Sequence, residues 1–303
     1  MVYLSTLVLS ILLGIILRNF FIKKRILDKI NHRSSHDVIA TRTGGSVLFI
    51  ILFIYIVFLY LNSYQPFDFS VIIPISILFV AGLYDDVYGV DYSLKFIFQI
   101  IAAKLLIDMG YIIDLFSVFG YEMMFSRSIA QILTIIFYLA VFNAYNFIDG
   151  IDGNIIFETI KSLILIIILF DLSTAVIELI IILIIIFLSI LPFNLNKRFK
   201  VFMGDSGSLI IPIIIIFLLN QGLEFSYDQN ILKYLAVVFI YPLFDLSRVT
   251  VLRISRGKSP FLADKNHIHH MVDRYFKNHI VSSSLIFIIS GLIQVVLIYI
   301  LLL

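Results

Sequence analysis

Most side chains of this sequence that could carry out chemistry lie in four short polar runs, which are YDDVYGVD (84–91), NAYNFIDGIDGN (143–154), VFMGDSGS (201–208) and DKNHIHH (264–270). The first three runs supply carboxylates and amides, and the fourth supplies three histidines. Carboxylate and amide oxygens are the ligands that Mg²⁺ prefers, and the ion usually keeps positions for waters and substrate phosphates. Hydrogen-bond donors gathered in one loop suit phosphate oxygens and sugar hydroxyls. Together the four runs predict a Mg²⁺-assisted reaction on a phosphorylated substrate.

The run 143–154 spaces three of its polar residues by three positions: Asn146, Asp149 and Asp152. At helical spacing these side chains share one face at the end of a helix, where their oxygens could bind a cation. The alternative is a solvated turn, because Asn, Asp and Gly all favour turns. Long apolar runs flank the segment, and ionisable groups at membrane depth are costly and usually functional. We therefore favour a functional site.

Two further acidic groups lie next to apolar runs. Asp85 and Asp86 are adjacent and repel each other, which favours a nearby cation or a proton-transfer role, although a hydrated helix end is an equal alternative. Asp205 lies between two glycines shortly before an apolar run. Here Ser206 and Ser208 are expected to cap a helix whose free N–H groups favour anions, with a plain helix start as the alternative. Both acidic groups are candidates for the same site.

The three histidines of the fourth run are His267, His269 and His270, and they lie among Lys and Arg residues in a long loop. A zinc site is disfavoured because the sequence contains no cysteine and has few acids nearby. A basic surface that touches anionic lipid is a further alternative. Binding of phosphate and sugar groups explains the cluster of donors better.

The elements that must position these runs are membrane-spanning helices. The chain has 303 residues, of which 61% are hydrophobic and only 14% charged, a composition typical of an integral membrane protein. The apolar runs do not alternate with polar residues, so they predict helices and not the strands of a membrane barrel. We expect an all-α fold, a single domain over residues 1–303 with about ten transmembrane helices. The predicted spans are 2–20, 46–62, 71–84, 95–110, 128–145, 155–170, 174–191, 208–220, 231–247 and 282–303.

The distribution of Lys and Arg predicts how these helices cross the membrane. Most basic residues fall on one side, beginning with the loop 21–45, and the positive-inside rule makes this side cytoplasmic. All four polar runs then lie on the cytoplasmic side, and both chain termini lie on the outer side. The net charge of +2 gives no reason to expect nucleic acid as a partner. The lipid bilayer is the expected partner surface, and a homodimer stays open.

The four runs resemble the motifs of a known family when they are extended to GLYDDVYGVD, NAYNFIDGIDGN, VFMGDSGSL and SPFLADKNHIHH, with ATRTGG ahead of them. This family is the polyprenyl-phosphate N-acetylhexosamine-1-phosphate transferases of glycosyltransferase family 4, and the resemblance runs from about Arg42 to His270. It implies a bacterial inner-membrane enzyme that transfers a sugar 1-phosphate from a UDP-sugar to undecaprenyl phosphate and releases UMP. That reaction would be the first membrane step of a cell-envelope polysaccharide. Which sugar is transferred stays open.

The resemblance also implies roles for particular residues. Asp205 and Asn146 are expected to bind Mg²⁺, or Mn²⁺ in its place. Catalytic roles are expected for Asp85 and Asp86, near the carrier phosphate, and for Asp149, in the nucleotide site. The residues expected to bind substrate, with Phe202 packed on the uracil ring and Asp152 beside it, are Lys95, Asp152, Asn194, Phe202, His267, His269 and His270.

Two other functional classes fit part of the sequence. A membrane prenyltransferase also uses Asp-rich loops and Mg²⁺, but it gives no role to GDSGS or HIHH. A secondary transporter would carry its ion-coupling acids near the centres of its spans and often shows inverted repeats. The acidic residues here cluster at loop ends, and no repeat is visible. A transferase is therefore the preferred prediction.

Overall fold

The fold is an all-helical bundle with one small hairpin. The computed structural model describes residues 2–28, 40–118, 121–226, 230–259 and 265–302. Its elements, besides a short 3₁₀ turn at Phe69–Val71, are α1 (Val2–Lys23), α2 (Gly44–Leu61), α3 (Ile72–Tyr88), α4 (Tyr92–Asp108), β1 (Leu115–Val118), β2 (Tyr121–Met124), α5 (Arg127–Ile148), α6 (Asn154–Leu169), α7 (Thr174–Leu195), α8 (Gly204–Ser208), α9 (Ile210–Ser226), α10 (Ile231–Val238), α11 (Ile240–Ser255), α12 (Ile268–Phe276) and α13 (His279–Leu301).

The predicted all-α membrane architecture is confirmed, because each predicted span is occupied by helix. Seven helical stretches of the described residues are long and apolar enough to cross a membrane, and the bent pair α10–α11 makes eight if it forms one span. The other two predicted spans correspond to α4, with 17 residues, and α6, with 16. Both are shorter than those stretches, so the predicted count of ten is not confirmed.

Two features of the chain were not predicted. Strands β1 and β2 pair antiparallel, with Leu115 opposite Met124, and form a hairpin between α4 and α5. The helix predicted at 231–247 is instead bent by 76° between α10 and α11. Pro242 explains the bend, because proline has no N–H to donate to the carbonyl four residues earlier and its ring crowds that carbonyl. The amide of Gln294 on α13 donates to the carbonyls of Val237 and Val238, each at 3.2 Å, and so replaces the lost partner.

The stretch formed by α8 and α9 lies at the centre of the bundle. It is the most deeply buried of the candidate spans, and α2, α3, α5, α6 and α10 pack around it. Two glycines let the backbones of α2 and α3 approach the backbone of this stretch closely. A Cβ atom on Gly82 of α3 would lie 2.5 Å from the backbone carbon of Asp205, and one on Gly45 of α2 would lie 2.1 Å from the nitrogen of Gly207. The backbone of the GDSGS run therefore packs directly against two neighbouring helices.

Candidate active site

The polar runs that the sequence singled out meet at one end of the bundle. The segment before α2 runs beside the segment before α8, where Thr41 and Val201 form a parallel bridge. The N–H groups of Gly44 and Gly45 each donate to the 202–203 backbone at 2.9 Å. The loop after α5 joins them, because the N–H of Gly153 donates to the side-chain oxygen of Asn194 at 2.7 Å. The chain thus brings loops that lie far apart in sequence into one polar site.

Asp86 caps the N-terminus of the short helix α8. Its two carboxylate oxygens accept hydrogen bonds from the backbone N–H groups of Asp205, at 2.9 Å, and Ser206, at 3.0 Å. The expectation that Ser206 and Ser208 cap this helix was wrong, since the N-cap residue is Met203 and no side chain of its own segment forms a cap. A carboxylate suits this position because the first N–H groups of a helix lack partners and favour negative charge. The catalytic role of Asp86 stays a prediction.

Lys95 joins two of the predicted acids. Its ammonium lies 2.7 Å from Oδ2 of Asp85 and also donates a hydrogen bond to Oδ2 of Asp205. The N–H of Val90 donates to the other oxygen of Asp85 at 2.7 Å. The structure also corrects the position of Asp85 and Asp86, because α3 continues to Tyr88 and carries them in its last turns. The predicted span ended before them.

Arg42 is a second cation of the cluster, and it was not among the predicted site residues. Its guanidinium lies 2.7 Å from Asp28 and 3.5 Å from Asp86. Burial alone would lower the pKa of Arg42, but the charges of Asp28, Asp86 and Asp205 outweigh burial and raise that pKa. Arg42 therefore remains charged and partly balances the acids. Its signal in the sequence was the ATRTGG segment, which carries a lone basic residue directly before an apolar helix.

Asp149 and Asn146 face the same cluster from α5. Helix α5 ends at Ile148, so Asp149 lies at its C-cap and Asp152 lies in the turn that follows. The expectation that these two acids share a helix face with Asn146 was therefore wrong. Burial raises the pKa of Asp149 well above its ordinary value, and the charges of Asp205 and Asp86 raise it further, against the opposing effect of Arg42. Asn146 remains in the helix, and its amide nitrogen donates to Oγ of Ser208 at 2.9 Å.

The residues of this cluster fit a divalent cation in their chemistry. The carboxylates of Asp85, Asp86, Asp149 and Asp205 outnumber the two cations Lys95 and Arg42, and oxygen ligands are those that Mg²⁺ prefers. The hydrogen bond to Ser208 uses the amide nitrogen of Asn146, so the oxygen is its atom that could bind a cation. Among the described residues, no three His, Asp or Glu side chains are grouped closely enough to hold an ion as they stand. The ammonium of Lys95 is the cation that Asp85 and Asp205 share instead.

A second group of residues surrounds Asp152. Lys200 donates a hydrogen bond to Oδ2 of Asp152, and Nδ1 of His279 lies 2.9 Å from the same oxygen. Burial alone would raise the pKa of Asp152, but the hydrogen bonds from His279 and Lys200 lower it. The Lys200 ammonium also lies 5.4 Å from the centre of the Phe202 ring. Asn194 is held nearby, because its amide nitrogen donates to the carbonyl of Val201 at 2.9 Å.

This second group contains three of the residues predicted to bind the nucleotide and two that were missed. Asp152, Asn194 and Phe202 come together, although their predicted roles are not tested by the contacts. Lys200 could have been noticed from its position two residues before Phe202. His279 carried no such signal, because it is the first residue of the last helix and reaches Asp152 only through the packing of α13 against α6.

The histidine run is more enclosed than a surface loop. His267 and His269 are buried, and Nδ1 of His267 lies 2.8 Å from Oδ2 of Asp245. Asp245 also accepts hydrogen bonds from Arg248, at 2.8 Å, and from the backbone N–H of Ile268, at 3.0 Å. Asp245 was not among the predicted site residues, although a single acid inside the apolar run 231–247 was a visible signal. The hydrogen bond from Ile268 to Asp245 fixes the position where α12 begins.

His269 and His270 are neutral near pH 7. Burial lowers the pKa of His269 well below its ordinary value, and the neighbouring histidines lower it further. Burial, followed by the charges of His267 and Lys265, lowers the pKa of His270 to about 4. Both ring nitrogens of His269 lack a hydrogen-bond partner among the described residues, and a Cβ atom on Gly150 would lie 2.2 Å from its Nε2. These rings therefore do not attract an anionic substrate as cations, and the ring of His269 is fully buried against Gly150.

Known transferases are similar in sequence to this chain over most of its length. A relative in Bacillus subtilis (strain 168), described as a probable undecaprenyl-phosphate N-acetylglucosaminyl 1-phosphate transferase, is 27% identical over 285 residues, which are 92% of this chain and 78% of the relative. The undecaprenyl-phosphate alpha-N-acetylglucosaminyl 1-phosphate transferase of Escherichia coli (strain K12) is 29% identical over 284 residues, 89% of this chain and 76% of the relative. The protein of the same description in Yersinia pestis is 28% identical and covers 85% and 72% of the two chains.

A family model described as "Glycosyl transferase family 4" matches residues 68–222, which is just over half of the chain. The matched segment runs from α3 to most of α9 and includes all four acids clustered around the start of α8. Neither a prenyltransferase nor a transporter accounts for this match. The chain belongs to glycosyl transferase family 4.

Proposed function

We propose that this protein transfers an N-acetylhexosamine 1-phosphate, with N-acetylglucosamine as the first candidate, from a UDP-sugar to undecaprenyl phosphate and releases UMP. The observation that carries this proposal is the pairing of two groups at one end of the bundle. One group is acidic and surrounds Asp205, and the other contains Asp152, Lys200 and Phe202. A diphosphate with its cation suits the first group, and a nucleotide base suits the second. The relatives are named for transfer to undecaprenyl phosphate.

The reaction exchanges one diphosphate bond for another. An oxygen of the carrier phosphate attacks the phosphorus that bears the sugar and forms a new P–O bond. The P–O bond to UMP breaks, and UMP leaves with the bonding electron pair. A phosphate monoester has a second pKa near 6, so the attacking oxygen is largely ionised at pH 7 without a protein base. The acids of the cluster can therefore act by positioning and by binding a cation.

The cation would be held by Asp205 and Asn146, with Mg²⁺ as the first candidate and Mn²⁺ as the second. A bound divalent cation would offset the negative charge of the transferring phosphates. Asp205 suits this role because it lies at the N-terminus of the buried stretch α8–α9 and is held in place through the contact of Gly82 with its backbone. Asn146 suits it because the hydrogen bond to Ser208 fixes its amide.

The site lies on the cytoplasmic face of the inner membrane in this proposal, and both termini lie on the outer side. UDP-sugars are cytoplasmic metabolites, and the basic residues of the chain favour the same orientation. The end of the bundle that carries the polar groups also carries Arg42, Lys95 and Lys200. The protein would thus start an envelope polysaccharide on the side where its donor is made.

The test is incubation of the purified protein with undecaprenyl phosphate and a panel of UDP-sugars, with release of UMP as the readout. We expect release with UDP-N-acetylglucosamine or a related amino-sugar donor, dependence on both substrates, and loss of activity on addition of a chelator that Mg²⁺ restores. Asp205→Asn protein serves as the matched control for background hydrolysis. The absence of UMP release with every donor, from well-folded protein, would refute the proposal.

A further inference from the structure

We propose that the cleft between α3 and α4 binds the part of the polyisoprenyl chain nearest the phosphate of the acceptor lipid. The inference deepens the proposed function and rests on it, because it assumes that the acceptor is a polyisoprenyl phosphate. It adds the position from which the acceptor reaches the acidic cluster and the residues that contact its chain.

The cleft is apolar along its walls. It has a volume of about 300 Å³. Helix α3 contributes Val80, Ala81 and Tyr84, and α4 contributes Leu94 and Phe98. Val80, Tyr84 and Leu94 are exposed on the outer surface of the bundle, so the cleft opens toward the surrounding lipid. A hydrocarbon chain could therefore enter it sideways from the bilayer.

The inner end of the cleft is charged. Lys95 lines the cleft, and 23% of its side-chain surface is exposed although its ammonium contacts Asp85 and Asp205. Val90 also lines the cleft, and its N–H donates to Asp85. A ligand with an anionic head and an apolar chain could place its head at Lys95, beside Asp205, while the chain lies between the two helices. This is the arrangement that the nucleophile of the proposed reaction requires.

The length of the cleft limits what it can recognise. Its positions on α3 run from Val80 to Tyr84, and those on α4 run from Leu94 to Phe98. At 1.5 Å per residue, each set covers about 6 Å along its helix. Only the part of a long chain next to the phosphate fits into this length. The rest of the chain stays in the bilayer. The cleft should therefore discriminate between acceptor lipids by the structure of the chain next to the phosphate and not by total chain length.

The charge of the head group favours a phosphate monoester over an ordinary phospholipid. A monoester carries about −1.5 to −2 charges at pH 7, whereas the diester of a phospholipid carries one. Lys95 is already shared between two carboxylates, so an incoming anion must compete with both. The four acids of the cluster outnumber its two cations, so this preference depends on the divalent cation of the proposed function, with which a doubly charged head interacts more strongly than a singly charged one.

Protection of a single cysteine tests the occupant without any donor sugar. The chain contains no cysteine, so Leu94→Cys places one thiol in the cleft. Ile97→Cys is the matched control, because Ile97 lies one turn further along α4, is also exposed and does not line the cleft. In detergent micelles with Mg²⁺ in the buffer, undecaprenyl phosphate at about ten times its dissociation constant should slow the reaction of Leu94→Cys with a maleimide roughly tenfold. The rate for Ile97→Cys should not change.

Undecaprenol and phosphatidylglycerol are the comparison ligands, and neither should protect Leu94→Cys. Equal protection by phosphatidylglycerol would mean that the cleft is an ordinary lipid crevice and would overturn the proposal. If Leu94→Cys does not fold, Tyr84→Cys tests the opposite wall in the same way. A lack of protection at a folded cysteine in the cleft would also overturn it.

A kinetic experiment separates this inference from the proposed function. Val80→Trp narrows the cleft from an exposed position and should raise the KM for undecaprenyl phosphate by at least about tenfold, as a small misfit in an apolar pocket does. The KM for the UDP-sugar should be unchanged, and Ile97→Trp should change neither constant. If the wild-type protein transfers sugar phosphate but Val80→Trp leaves the acceptor KM unchanged, only the cleft assignment fails. If the wild-type protein releases no UMP, the proposed function fails.

Discussion

The four acids near the start of α8 differ in what holds each of them. Asp86 is fixed by two backbone N–H groups, so moving its carboxylate would leave the first turn of α8 without acceptors. Asp85 and Asp205 share the ammonium of Lys95, which is carried by a long side chain with rotatable bonds and not by the backbone. A cation or a phosphate can take over those contacts without breaking any backbone hydrogen bond of α8. The pair Asp85 and Asp205 is therefore the part of the cluster best suited to exchange partners during a reaction.

Asp205→Asn should abolish most activity and leave the fold intact. The change keeps the size of the side chain but removes the charge that attracts a divalent cation. Loss of one charge-stabilising group in a transferase site costs at least about 100-fold in turnover, or about 2.7 kcal/mol. UMP release and thermal unfolding should be measured together, with the exposed Asp171→Asn as a control that changes neither. A folded Asp205→Asn protein with near wild-type turnover would contradict the metal assignment.

Phe202→Ala should weaken binding of the UDP-sugar. Stacking of a base on an aromatic ring contributes about 1–3 kcal/mol, so the KM for the donor should rise accordingly while the KM for the acceptor stays constant. Phe199→Ala is the matched control, because Phe199 lies three residues earlier and its ring packs against Arg18 instead. Unchanged donor KM with collapsed turnover would show that Phe202 does not contact the base.

At the scale of elements, the contact of α3 with α8 determines the geometry of the acidic cluster. The absence of a side chain at Gly82 lets the two backbones touch, and this contact brings Asp86 within reach of the α8 N-terminus. The packing of α13 has the same role for the second group. It carries His279 to Asp152, and the hydroxyl of Ser283 donates to the carbonyl of Asp152 at 2.7 Å. Each half of the site is thus aligned by the packing of one helix, α3 for the acidic cluster and α13 for the group around Asp152.

Gly82→Ala should damage both stability and activity. The added methyl group would lie 2.5 Å from backbone atoms of Asp205, and these cannot move aside as a flexible side chain can. Overpacking of this kind costs about 1–3 kcal/mol of unfolding free energy. Gly14→Ala is a fitting control, because the new methyl group would meet only Val47, at 3.9 Å. Thermal unfolding and UMP release that are equal in the two variants would show that the α3–α8 contact is looser than described.

His270, in the first turn of α12, should make the stability of the fold depend on pH between about pH 7.5 and 5. The folded-state pKa of His270 lies at about 4, below its ordinary value of 6.5. The unfolded chain therefore binds more protons in this range, and stability that is present above pH 6.5 is lost as the pH falls. His270→Gln should lose less melting temperature than wild type between pH 7.5 and 5, when both are followed by thermal unfolding.

The remaining groups are present in both proteins. His269 makes stability depend on pH in the same direction as His270, because burial also lowers its pKa, but wild type and His270→Gln both contain it. The lowered pKa of Asp152 makes stability depend on pH only below about pH 4, the ordinary pKa of an aspartate. The raised pKa of Asp149 acts in the opposite direction, because the folded state binds the extra proton, but it is present in both proteins. Equal pH dependence of wild type and His270→Gln would therefore show that His270 is not held neutral by burial.

At the scale of the whole molecule, the sequence predicted the positions of the helices and the end of the bundle that carries the chemistry. Apolar runs of span length locate helices reliably in a membrane protein, because no other open structure satisfies the backbone there. Contacts between runs were not predictable in the same way. The pair Asp85–Asp86 gives no sign of which acid caps α8, and nothing near His279 points to Asp152. These contacts depend on packing between helices that are distant in sequence.

Some missed features had signals that were present in the sequence. Pro242 lies inside a predicted span and marks the bend between α10 and α11. Asp245 lies in the same span and anchors His267. Both were hidden because a span is recognised by its length and its overall apolar character, to which a single residue contributes little. The hairpin β1–β2 had a weaker signal, since a short polar and aromatic segment between two helices is equally compatible with an irregular loop.

The orientation of the short helix α6 is the last prediction. With 16 residues, α6 extends about 24 Å at 1.5 Å per residue, somewhat less than the hydrocarbon core of about 30 Å. If α5, α6 and α7 all cross the membrane, the exposed residues Met123 and Lys197 lie on opposite sides. Met123→Cys should then react with an impermeant maleimide only from outside, and Lys197→Cys only from the cytoplasm, in intact and inverted vesicles. The cysteine-free parent should remain unlabelled. Labelling of both positions from the same side would mean that one of the three helices does not cross, and α6 would be the first to reconsider.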